Sequence, residues 1–104
     1  METLIALLLP YKVRVRVKCA KSSEPSGWDW PLFSPVSGYV ETGTLGPVRV
    51  EDVEWIEVES QESTRIGRLV PDEITDHSDA LAGALRQAQV AYSLNNGIFR
   101  ISAS

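Results

Sequence analysis

"YKVRVRVKCA", residues 11–20, decides how the rest of the chain is read. Tyr11, Val13, Val15, Val17 and Cys19 alternate with Lys12, Arg14, Arg16 and Lys18. A side-chain period of two marks a strand with one face on a core and the other in solvent. Valine suits that pleated, half-buried setting, and a clean alternation of this kind belongs to antiparallel sheets. The spacing therefore predicts a strand over 11–19. It also poses a question, because four cations stand in a row in a chain whose formal net charge is -4.

Residues 41–62 offer one answer. They hold seven acids and a single basic residue, Arg49, whereas residues 1–21 hold five basic side chains and one acid. "VSGYVETG" (36–43) and "GPVRVEDVEWIEVES" (46–60) are β-branched and punctuated by turn residues, which predicts two or three strands. The alternation slips at Glu51-Asp52 and at Trp55-Ile56, where a turn or bulge is expected. A strand carrying Glu54, Glu57 and Glu59 beside the cationic one would form cross-strand ion pairs, each contributing about 0.2–1 kcal/mol.

Further out, Leu4 to Leu9 is an apolar run ended by Pro10; we read it as a buried strand, with one helical turn as the alternative. The run is too short to span a bilayer, and Glu2 stands where a signal peptide would carry positive charge, so it is assigned to the core. "KSSEPSGWDWPLFSPVS" (21–37) has three prolines and a glycine and is expected to be a long irregular connection. "TRIGRLV" (64–70) is read as a further short strand. "TDHSD" (75–79) supplies capping groups and negative charge for a helix start, after which Leu81, Ala84, Leu85 and Ala88 recur at helical spacing. Gly83 weakens that helix by about 1 kcal/mol relative to alanine. Asn96-Gly97 predicts a two-residue type I′ hairpin that sets Leu94 opposite Phe99 and Tyr92 opposite Ile101. The fold class expected is α+β, a small antiparallel sheet with one principal helix packed on one face and a C-terminal hairpin, in one domain over 1–104.

The chain has 104 residues, 43% hydrophobic and 23% charged, the composition of a globular protein. Cys19 is the only cysteine, which rules out an intrachain disulfide and a cysteine zinc cluster and fits a cytoplasmic, reducing setting. On the apolar face of its strand it reads as a small hydrophobe rather than a reactive thiolate.

Three constellations are candidates for function. Lys12, Arg14, Arg16 and Lys18 form a ridge with same-face spacings of about 6.6–7 Å that could follow phosphates, with Trp28, Trp30 and Phe33 as stacking platforms. A sequence pI near 4.9 opposes nucleic-acid binding. Trp28, Asp29, Trp30 and Phe33 form an aromatic loop of the kind that anchors partners. Its bland counterpart is a loop that folds back to close a small core. Asp72, Glu73, Asp76, His77 and Asp79 gather acids around the only histidine, yet no metal-loop or HExxH spacing is present, and acids at a helix start stabilise it in any case. No GxSxG, P-loop or dinucleotide motif occurs, and no cofactor is expected.

The leading expectation is a non-catalytic protein-binding or regulatory module, such as a small inhibitor of a basic partner, engaging through Trp28, Asp29, Trp30, Phe33, Lys12, Arg14, Arg16, Lys18, Glu54, Glu57 and Glu59. Nucleic-acid binding by the cationic strand and a small enzyme or ligand binder around His77 are the alternatives. A homodimer formed through a strand edge is compatible with either.

Overall fold

The computed structural model describes residues 2–64, 67–71 and 73–102. The chain opens with a helix, α1 (Glu2–Leu8), not with the strand expected for Leu4 to Leu9. Leu4 and Leu8 are one helical turn apart and both buried, so a single stripe faces the core where a strand would have divided the run between two faces. Pro10 cannot continue the helix, which closes with bonds from the Leu9 and Tyr11 N–H groups to the Ile5 and Leu8 carbonyls.

The ladder of β1 (Val15–Cys19) is shorter than the alternation that predicts it. Val13 lies before the paired stretch and is still buried, so the two-residue period outlasts the hydrogen bonding. After the irregular connection come β2 (Tyr39–Val40) and β3 (Val48–Arg49), which pair as a small ribbon, and then a 3-10 turn at Val50–Asp52. That turn sits where the alternation slips at Glu51-Asp52. β4 (Val53–Glu59) follows. Lys18 faces Trp55 but Cys19 faces Val53, which leaves Glu54 as the extra residue of a bulge. The second slip in the pattern thus corresponds to an irregularity one residue earlier than Trp55.

β4 is continued, after Ser60, by β5 (Gln61–Thr64), which pairs with β6 (Glu73–Asp76) in a two-stranded ribbon. The strand expected over 64–70 is absent from its described part: Thr64 ends β5, Gly67 to Val70 run as coil and bends, and Arg65 and Ile66 lie outside the described residues. α2 (Ser78–Gln87) buries Leu81 and Leu85 and packs on α1. It stops through a Schellman arrangement in which Gln89, at φ 59°, donates to the Arg86 carbonyl and Val90 donates to the Leu85 carbonyl. β7 (Ser93–Asn95) and β8 (Ile98–Ser102) then form the hairpin, with Leu94 facing Phe99 as the sequence predicts. Asn96 and Gly97 have φ of 52° and 77°, the pair of positive values a type I′ turn demands.

The architecture is α+β, with a main antiparallel sheet in the order β1-β4-β8-β7. Register sorts its two faces. Val15, Val58 and Phe99 form one row across the sheet and Val17, Ile56 and Ile101 the next; all are buried together with Leu4, Leu8, Leu81 and Leu85. Burying this apolar surface is the main source of stability, at about 25 cal/mol per Å² removed from water. The intervening row, Arg16, Glu57 and Arg100, falls on the opposite face.

Candidate functional site

The opposite face answers the question posed by residues 11–20. Three of the four cations meet acids on β4. Arg14 contacts Glu59 at 3.0 Å, Arg16 contacts Glu57 at 2.6 Å and Lys18 contacts Glu54 at 2.6 Å. Lys12 enters differently, its backbone N–H donating to Glu62 Oε1 at 3.2 Å. Glu57 is the centre of this layer, with a side chain only 8% exposed. Its Oε1 accepts from Arg16, while Oε2 accepts from Arg100 Nε and Nη2, both at 3.0 Å. A carboxylate can be buried to this degree because both oxygens carry charge-assisted bonds.

Tryptophan rings frame the same cluster. The Arg16 guanidinium carbon lies 4.8 Å from the Trp28 ring centroid and 5.7 Å from that of Trp55, and the Arg100 carbon lies 4.4 Å from Trp55. These are cation–π distances. Trp28 therefore packs over an arginine of the sheet, whereas Trp30 and Phe33 stay 48% and 36% exposed. Asp29 has a structural place. Its N–H and C=O pair with Val15, its Oδ1 accepts from the Trp30 N–H at 2.7 Å, and a Cβ at Gly43 would fall 2.6 Å from its Oδ2. A side chain there would have to displace the Asp29 carboxylate. The loop is tied down again by the Phe33–Glu41 bridge and by buried Leu32.

At the far end of the sheet, a groove of about 660 Å³ runs between the β5–β6 ribbon and the tip of the β7–β8 hairpin. Ser60 lies at its base. Its N–H and Oγ both donate to the Gly97 carbonyl, at 3.0 and 2.7 Å, and its own carbonyl accepts from the His77 N–H at 2.7 Å. His77 Nε2 lies 3.4 Å from Glu62 Oε1, and the imidazole meets Tyr11 edge-on with centroids 5.0 Å apart. Of the acids expected around it, Asp79 lies in the first turn of α2. Asp76 closes β6 and accepts from the Ser78 N–H at 2.9 Å, Glu73 lies at the other end of β6, and Asp72 is outside the described residues. The Ser78 bonds hold the Asp76 carboxyl below its ordinary range. No group of three or more potential metal ligands occurs among the described residues. Burial, reinforced by Asp52, pushes the Cys19 thiol up, so it stays protonated at neutral pH.

The ribbon is the part of this surface that sequence reasoning missed. All four residues of β6 are exposed, including Ile74 at 61%, and the adjoining Leu69 and Val70 are 98% and 51% exposed. Trp55 and Arg100 were also missed as members of the charged face. Their signal was present in the alternation of β4 and β8 but needed the register between strands. Among the described residues no helix is long and apolar enough to cross a membrane.

Residues 2–103 match the model of DUF6678, described as a family of unknown function, and the chain belongs to that family. No curated protein and no solved structure matches it.

Proposed function

We propose that this DUF6678 member is a non-catalytic protein-binding module that presents the β5–β6 ribbon to a basic protein. The observation that carries the reading is the exposure of Ile74, Leu69 and Val70 on and beside a ribbon that has no core of its own. Scattered apolar residues are ordinary on a surface, but exposed apolar residues gathered on and beside one ribbon support a contact site there. Residues 61–76 contain four acids, Glu62, Asp72, Glu73 and Asp76, against two arginines, Arg65 and Arg68, a net charge of -2. That sign favours a basic partner and speeds its encounter at low salt.

Exposed Trp30 and Phe33 are the second surface this reading uses. The charged face supports it less, because Arg14, Arg16 and Lys18 already contact Glu59, Glu57 and Glu54. The same pairing weighs against a phosphate-following ridge, since a nucleic acid would have to displace those carboxylates. A histidine packed between Tyr11 and Glu62 supports a structural use of His77. A cytoplasmic setting, suited to a chain with one free thiol, goes with this reading.

The test is affinity capture from native lysate at moderate salt with the wild type, Ile74→Asp and Trp30→Ala, each checked for folding, with retained proteins identified by mass spectrometry. The expected result is a set of basic proteins held by the wild type, released as salt rises and lost with Ile74→Asp. Retention of the same proteins by wild type and Ile74→Asp would overturn the ribbon as the contact surface, and release by Trp30→Ala alone would move the site to the aromatic loop.

A further inference from the structure

The main sheet has two edges, and the fold treats them differently. The β1 edge is closed. The Val15 N–H donates to the Asp29 carbonyl and the Asp29 N–H to the Val15 carbonyl, both at 2.8 Å; the Ser26 N–H donates to the Val17 carbonyl at 2.8 Å and the Val17 N–H to Ser26 Oγ at 3.0 Å. The opposite edge, β7, is exposed along Ser93, Leu94 and Asn95. Its shortness, three residues, is one of the usual means of discouraging edge pairing, but charge and proline are missing. Between Arg86 and Arg100 the sequence contains no charged residue and no proline.

The hairpin geometry fixes which groups this edge offers. Asn95 and Ile98 flank a two-residue turn and form the hydrogen-bonded pair, so Leu94 opposite Phe99 is a non-hydrogen-bonded pair. The N–H and C=O of Leu94 consequently point away from β8, out of the sheet. Its side chain lies on the same face as buried Phe99 and is 47% exposed.

We propose that β7 pairs with β7 of a second copy of this chain, antiparallel about a two-fold axis at Leu94. Leu94 would exchange both main-chain bonds with its symmetry mate, Ser93 would face Asn95 of the other copy, and the two leucine side chains would meet where the apolar faces adjoin. The segment is self-complementary, since no like charges oppose one another and the short polar side chains of Ser93 and Asn95 face each other. It holds no charge to recruit the basic partner proposed for the ribbon, although Leu94 and Ile74 line the same groove. β6 is the poorer edge for a second copy, because Glu73 and Asp76 lie within four residues and antiparallel pairing would bring acids into opposition. Three residues a side is a small contact, well below the roughly 1,200 Å² of a stable complex. The association is therefore weak and concentration-dependent.

Sedimentation equilibrium of the full chain from about 10 μM to 1 mM tests this, a range that brackets weak association. The expected result is a reversible monomer–dimer equilibrium, weakened at least about tenfold in Leu94→Lys, which sets like charges directly opposite, and unchanged in Ile74→Asp. In the unmodified protein the amide resonance of Leu94 should shift with concentration while those of Val15 and Val17 do not. A wild type that stays monomeric to 1 mM, a Leu94→Lys variant that folds and dimerises normally, or a Leu94 amide insensitive to concentration would each overturn the proposal. Loss of dimer in Ile74→Asp instead would assign the self-contact to the ribbon.

Discussion

β4 and β5 are consecutive stretches of one chain direction, separated only by Ser60, and they meet opposite fates. β4 has β1 on one side, β8 on the other and helices beneath its apolar face, so its valines and Ile56 are buried and even Glu57 is nearly enclosed. β5 is paired with β6 alone, and β6 is exposed throughout. The difference lies in what surrounds each strand rather than in backbone conformation. A strand flanked on both sides and packed on one face contributes to folding. A two-stranded ribbon without further strands contributes less.

The most forceful way to break this contrast is to cut a side chain from each region. Phe99→Ala, which empties a site across from Val58, is expected to cost about 3–5 kcal/mol in denaturant unfolding. Glu57→Gln comes next. It leaves Arg16 and Arg100 without their shared carboxylate and should cost about 1.5–3 kcal/mol, the range for hydrogen bonds to charged groups. Arg14→Ala removes a more exposed pair and should cost below about 1 kcal/mol, falling further at high salt. Ile74→Ala on the ribbon should change stability by no more than about 0.5 kcal/mol, as surface substitutions do. Should Ile74→Ala rival Phe99→Ala, the ribbon would belong to the cooperative core and the contrast would fail.

The smallest effect sharpens the boundary between the regions. The Ser78 hydrogen bonds depress the Asp76 carboxyl in the folded state. A carboxyl with a lowered folded value adds stability above its unfolded value and loses it as pH falls through the folded one. Asp76→Asn should therefore flatten a minor part of the acid limb of the stability–pH curve between those two values, measured by urea unfolding at a series of pH values. An unchanged limb would show that the Asp76–Ser78 bond at the ribbon–helix junction carries no linkage.

Legibility from sequence follows the same division. Wherever one face is buried, period and partner agree. The Val13 to Val17 alternation, the α2 stripe at Leu81 and Leu85 and the Asn96-Gly97 turn each carry a local signal that packing reinforces. Acids placed opposite the cationic row were legible too, because charge segregation survives ignorance of exact register. Leu4 to Leu9 misled because a short apolar run fits a buried strand or a helix equally, and only contact with α2 selects the helix. β5 and β6 were illegible for a different reason. "EITD" is exposed throughout and "QEST" is wholly polar, so no apolar periodicity was imposed on them.

Ser60 ties these regions together through more than its place in the sequence. With two bonds to Gly97 and one from His77, this buried residue joins the strand, the hairpin tip and the start of α2 at a single node. Mechanically that node is a fulcrum. A load applied to the outer end of the ribbon would act over the length of β5 and β6 and arrive as a torque on the hairpin turn and the first turn of α2. A partner that tugs on Ile74 would thus strain the very hairpin whose outer strand carries Leu94.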